Sequence, residues 1–247
     1  MSYNTLVKND IFILNQSETN KQIFEIVFLR RQKTVFIDSL IQTRLIQNVT
    51  LSDDYKTIRF KAFTVKSFHK YKHNTSRVNY NTAIQMLSSL TKQLAYLIAH
   101  EYVFLGYNTK NIIVINDSVF VFLDSELLTD VFIKNDNMYC SIRYPFSTND
   151  FYVSPELFRI SEIPSIVSYK ISYFSLGFLL FEAVYGSEDL YKEYLRFLKN
   201  RASNSFETFV KGILNSETLS FMKHSKLYWL LERSLVEDPL DRSLLFL

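Results

Sequence analysis

The sequence predicts an α+β chain of two lobes, a small antiparallel sheet followed by a mainly helical half. Over roughly the first 70 residues apolar side chains come in short runs, broken by polar turns, as strands require. Beyond residue 80 they recur at helical spacing over longer segments. Hydrophobic residues make up 47% of the 247 and charged residues 21%, so the chain can fill a sizeable core and does not read as disordered.

The elements follow in order. Runs at 10–14 and 22–29 flank a polar turn at 15–21. Further strands are expected at 33–37, 45–50 and 57–65, the last with Ile58, Phe60, Ala62 and Thr64 on one face. Ser52-Asp53-Asp54-Tyr55 supplies the turn between the last two. The character changes after His73-Asn74-Thr75-Ser76, which divides a first lobe at 1–74 from a second at 75–247. From Tyr80 to about Tyr102, Ala83, Leu87, Leu90, Leu94, Leu97 and Ile98 mark one helical face. Strands return at 112–115 and 119–123 around Asn116-Asp117-Ser118. A second hairpin, 132–134 with 138–144, turns at Asn135-Asp136-Asn137. Helices are expected at 169–185, 187–201, 205–214 and 227–235, with Trp229 in the core.

Composition excludes several functions. A net charge of +3 is too small for a nucleic-acid footprint. The basic stretch Lys66, His69, Lys70, Lys72 and His73 reads as a solvated segment. Cys140 is alone and the histidines are scattered, which gives neither a disulfide framework nor a metal site. No basic-then-apolar leader opens the sequence, and no apolar run reaches the roughly 18 residues a membrane span needs. The expectation is a soluble, intracellular, cytoplasmic protein with no membrane or nucleic-acid partner.

Four motifs then point to one family. Phe104-Leu105-Gly106-Tyr107-Asn108-Thr109-Lys110-Asn111 stands before a short hairpin that ends at Asp124. Tyr152-Val153-Ser154-Pro155-Glu156 comes next, then Ser172-Tyr173-Phe174-Ser175-Leu176-Gly177. The stretch Leu230–Arg242 closes the chain with Asp238-Pro239 and Arg242. In order and spacing these resemble the catalytic loop H-R-D-L-K-P-E-N, the D-F-G motif, the A-P-E motif, the D-x-W-S-x-G helix start and the final Asp-Pro…Arg of eukaryotic-type protein kinases. The resemblance covers roughly 80–247. It implies a bilobal kinase-like fold with a reduced β first lobe, its partner helix reduced or absent. It also implies a buried ion pair between Glu156 and Arg242. The A+T-type residue bias and the compact first lobe resemble kinase-like proteins of large DNA viruses.

Against the same pattern, the transfer machinery is depleted. The first glycine is Gly106, so no Gly-rich loop can cover phosphates in the first lobe, and the turn at 15–20, with Glu18, takes its place. The window Val35-Phe36-Ile37-Asp38 puts Asp38 at the strand-lysine position, with no room for the helix that follows. The general-base position holds Gly106, and the loop lysine becomes Asn108. Lys110, Arg31 and Lys33 are the alternative cations. Asn111 and Asp124 remain as candidate nucleotide and metal ligands, although D-F-G reads Asp124-Ser125-Glu126.

The resemblance therefore implies a catalytically inactive kinase-like protein that binds another protein, leaving its oligomeric state open. The alternatives are a divergent Ser/Thr kinase and an ATP-binding sensor without turnover. No resident cofactor is expected; Mg²⁺ and ATP are the ligands that either alternative requires.

Overall fold

Alternating burial in the first third builds one antiparallel sheet. β1 (Tyr3–Lys8), β2 (Phe12–Ser17) and β3 (Ile23–Phe28) form a meander, α1 (Thr34–Ile41) follows, and β4 (Thr50–Leu51) and β5 (Thr57–Lys61) complete the order β1-β2-β3-β5-β4. The computed structural model describes residues 2–72, 77–187, 189–200 and 206–244. The expected lobe boundary at 74, and the expected helix ends at 201 and 205, lie outside the described residues.

Register decides which side chains meet. Phe12 stands opposite Phe28, Leu14 opposite Ile26, and Phe24 opposite Phe60. These share one face, buried against Phe36, Ile37 and Leu40 of α1, with Phe28 and Phe36 packed edge to face at 5.8 Å.

Several expectations for this lobe are overturned. Residues 34–41 form a helix, not a third strand. Val35 and Ile37 favour strands, but Phe36, Ile37 and Leu40 fall on one helical face, and packing beneath the sheet wins over local propensity. A short helix therefore follows β3, where the sequence left room for none. The run at 45–50 supplies only β4, after Leu45 and Ile46 turn inward to the core. The polar residues Asn15, Gln16 and Ser17 belong to β2, because β1, missed in the sequence, pairs with them along an exposed edge; Thr5 Oγ1 donates to Asn15 Oδ1 at 2.9 Å.

The chain then changes sheets. The single run at 57–65 breaks after β5, and β6 (Val65–Ser67) pairs instead with β8 (Ile112–Ile115), which pairs with β9 (Val119–Phe122). Between them lie α2 (Phe68–Lys72), α3 (Tyr80–Ala99) and β7 (Tyr102–Phe104). α3 is capped by Asn79, whose Oδ1 accepts the Thr82 N–H at 2.9 Å. Next, β10 (Leu128–Lys134) and β11 (Asn137–Ile142) form the second expected hairpin. α4 (Pro155–Phe158) and β12 (Ser165–Ser168) follow, and the third sheet runs β12-β11-β10-β7.

Helices complete the second half. α5 (Ile171–Tyr185) is buried on every side from Ile171 to Val184, and it ends at Gly186, whose φ of 84° is left-handed. α6 (Asp189–Asn200), α7 (Phe206–Leu214) and α8 (Lys226–Ser234) surround it. A side chain on Gly177 would meet Ser234 Oγ at 2.2 Å, so α8 crosses α5 where only glycine fits. Trp229, expected in the core, is instead 42% exposed on α8. The fold is α+β with antiparallel sheets, and no helix among the described residues is long and apolar enough to cross a membrane.

Candidate functional site

The β8–β9 hairpin brings its two flanks together. The Leu123 N–H donates to the Asn111 carbonyl at 2.9 Å, and this sets Asn111 beside Asp124. Asn111 Nδ2 donates to Asp124 Oδ2 at 2.6 Å, with both residues buried. The third member comes from the first sheet. Asn9, in the turn between β1 and β2, uses its Oδ1 to accept the N–H groups of Ile11 and Phe12 at 2.9 and 2.8 Å. That fixes its Nδ2 against Asn111 Oδ1 at 2.9 Å.

The turn of the first hairpin is therefore Asn9-Asp10-Ile11, not the polar run at 15–20, and it reaches into the site. The other Asp124 oxygen, Oδ1, accepts the Glu126 N–H at 3.2 Å. Burial raises the Asp124 pKa above the ordinary carboxylate range, the Asn111 hydrogen bond lowers it in part, and the Glu126 charge adds to the rise.

Mg²⁺ takes oxygen ligands. The Asn111 oxygen already accepts from Asn9, and the two Asp124 oxygens accept from Asn111 and from the Glu126 N–H. The pair is arranged as donor and acceptor to each other, not as two ligands to a common cation. The residues do not fit the metal as they stand.

The loop 104–111 is braced from below. The Tyr107 N–H donates to Ser175 Oγ of α5 at 2.7 Å, whereas Ser172, three residues earlier, donates to the Tyr169 carbonyl at 2.9 Å. Asn108 accepts the Asn111 N–H and donates to the Asp150 carbonyl, each at 2.9 Å. At Gly106 no acceptor is present, and an added Cβ would lie 2.2 Å from Phe151 Cδ2. Phe151 is itself pinned. Tyr191 Oη lies 2.8 Å from its carbonyl and accepts the Val153 N–H at 3.0 Å, while Tyr194 donates to the Val153 carbonyl at 2.9 Å.

The candidate cations do not converge here. Lys110 is exposed and lines a separate groove of ≈ 220 Å³ with Tyr152 and Glu182. Arg31 stacks over Tyr55 at 5.9 Å, and Lys33 sits 3.3 Å from Asp130 and 4.6 Å over the Tyr102 ring. Asp38 lies on α1, so it does not occupy a strand position at all. The strand that precedes the helix is β3, whose helix-facing residues Phe24, Ile26 and Phe28 are apolar. Its one acid, Glu25, points the other way and pairs with Arg59 at 3.1 Å. No ion pair among the described residues includes Asp124.

Glu156 and Arg242, by contrast, meet. The guanidinium is bidentate on the carboxylate at 2.5 and 2.7 Å, donates to the carbonyls of Val236 and Glu237 at 2.7 Å each, and lies 4.9 Å over the Phe174 ring. Arg242 is 1% exposed.

Sequence reasoning missed Asn9, Phe151 and Ser175. Asn9-Asp10 carried a turn signal that was masked by the unrecognised β1; Phe151 carried none, because its role depends on a contact 45 positions away in the chain, counting from Gly106. No family model matches the chain, and no curated protein matches it in sequence.

Proposed function

We propose that this chain is a protein-kinase-like regulator that does not transfer phosphate and acts by binding another protein. The observation that supports this reading is the Asn9–Asn111–Asp124 chain, in which the two candidate ligands bond to each other and to Asn9 rather than standing free for a cation or a phosphate. The plan implied by the resemblance supports the fold part of the proposal. It requires a first hairpin, a third strand with a helix after it, a hairpin between the two polar ligands and an ion pair anchoring the segment after them. β1–β2, β3 with α1, β8–β9 and Glu156–Arg242 have these relations.

The chemistry supports the functional part. Phosphoryl transfer depends on positioning and on charge aimed at the phosphates. Here the base position is filled by the Phe151 ring, and the strand facing α1 offers no amine. The buried carboxylate has no cationic partner among the described residues, and negative phosphates brought beside it would be repelled.

Incubation with Mg²⁺ and γ-labelled ATP tests the proposal, with the Asp124→Asn variant as control. No incorporation above that control is expected. Incorporation by the native chain that Asp124→Asn abolishes overturns the proposal in favour of a divergent kinase.

A further inference from the structure

The loop between α1 and β4 runs along a trough in the surface. One stretch, ≈ 290 Å³, lies between this loop, the end of β5 and the β8–β9 turn; a second, ≈ 450 Å³, is bordered by Ile41, Val49 and Leu51. Arg44, Ile46, Gln47 and Asn48 line both stretches, which makes them one groove. Its floor is apolar, built by the buried side chains of Leu45, Ile46, Phe60 and Ala62.

Phe63 lines the first stretch and is 77% exposed. The backbone on either side of it is fixed. The Ala62 N–H donates to the Gln22 carbonyl at 2.9 Å, and Asn116 Oδ1 accepts the Phe63 and Thr64 N–H groups at 2.8 and 3.2 Å. The fold thus presents a large apolar ring to water beside an apolar groove, which marks a contact surface.

The charge along the groove has one sign. Arg44 and Lys61 are both exposed, neither has an ion-pair partner among the described residues, and no acid lines either stretch. Asp117, the acid that follows Asn116, is held by Lys66 at 2.8 Å. The other polar side chains of the lining are amides, and the N–H groups of Gln47, Asn48 and Val49 have no acceptor among the described residues. A groove with cations and spare donors on its rim and apolar side chains on its floor is complementary to carboxylates interleaved with apolar residues.

We infer that this trough docks an acidic, apolar segment of the partner protein, with carboxylates on Arg44 and Lys61 and apolar side chains on Phe63 and the floor. The inference rests on the reading of the chain as a protein-binding regulator and names the surface and the kind of partner.

Selection of random peptides displayed on phage against the native chain tests it, followed by fluorescence anisotropy of the recovered peptides. These peptides are expected to combine Asp or Glu with Leu, Ile or Phe, and to bind Phe63→Ser about tenfold or more weakly. The double variant Arg44→Glu, Lys61→Glu is expected to lose them by about tenfold or more. It should instead bind counterparts in which each acid is replaced by lysine, a swap that also shows the variant is folded. A selection that returns no binder or binders without acids, affinities that neither variant weakens, or a failed swap overturns the inference. So does self-association of the native chain that Phe63→Ser abolishes in sedimentation equilibrium, since a second copy would then own the groove. None of these readouts involves ATP, so the docking surface can fail while the absence of phosphate transfer stands.

Discussion

Phe151 occupies the space that any side chain on Gly106 would need, with its Cδ2 2.2 Å and its Cγ 2.8 Å from where a Cβ would stand. The ring cannot swing aside freely, since the tyrosines of α6 hold the backbone on both sides of it. Glycine at this position is therefore coupled to the aromatic opposite it. Placing an acid there, Gly106→Asp, is expected to destabilise the fold by ~1–3 kcal/mol through overpacking and to confer no phosphotransfer. Adding Phe151→Ala to that variant should cost less than Phe151→Ala alone, a coupling that denaturant unfolding of the double-mutant cycle measures. Additive effects would show that the two positions are independent.

The Glu156–Arg242 pair is the firmest long-range tie between the segment at 150–156 and the C-terminal end. Arg242 is bidentate, further bonded to two carbonyls and almost wholly buried. Arg242→Ala strands the Glu156 carboxylate and is expected to lower stability by ~3–5 kcal/mol. Arg242→Lys, which keeps the charge but loses the fork, should recover only part of it. Chemical denaturation measures both; a loss below about 1 kcal/mol for the alanine variant would contradict this.

Asp124 makes stability depend on pH. Its pKa is raised in the folded state, chiefly by burial, so the folded protein holds the proton more tightly than the unfolded chain. Its contribution is therefore most favourable at acid pH, where the carboxyl is protonated. It declines as pH rises from the ordinary carboxylate value of 3.8 through the raised folded value. Asp124→Asn lacks that decline, so the stability of the native chain relative to the variant should fall as pH rises through this range. A difference that grows more favourable to the native chain as pH rises would reverse the sign and refute the assignment.

Tyr107 is wholly buried, and its hydroxyl has no hydrogen-bond partner among the described residues. Its ring packs on Phe104 at 5.5 Å and on Phe122 at 4.8 Å, and burial pushes the phenol pKa up. Tyr107→Phe keeps the ring and removes the orphan hydroxyl, so stability should stay level or rise by up to ~1 kcal/mol. A loss larger than that, in thermal or denaturant unfolding, would show a partner for the hydroxyl.

Legibility in the sequence followed the length and regularity of each pattern. α3, α5 and α8 were readable to within a few residues, because many turns repeat one apolar face. The β8–β9 and β10–β11 hairpins were readable from turn residues between apolar runs. The first sheet and α1 were not. β1 has one wet face and a register shift between Thr5 and Val7, and α1 is short and carries strand-forming side chains. Losing β1 displaced the first turn, and with it Asn9, so its hydrogen bond to Asn111 was not foreseen. Asn111, Asp124 and the Glu156–Arg242 pair were found because the motif order placed them. Phe151 and Ser175 act through contacts that no local pattern encodes.

We propose that the Asn9–Asn111–Asp124 hydrogen bonds leave no site for Mg²⁺ and ATP at Asp124. Thermal unfolding with and without Mg²⁺ and ATP tests it most directly. A ligand present at 100 times its dissociation constant stabilises by ~2.7 kcal/mol. The expected result is no shift for the native chain at millimolar ATP. A clear upward shift that requires both Mg²⁺ and ATP, and that disappears in Asp124→Asn, would contradict the account.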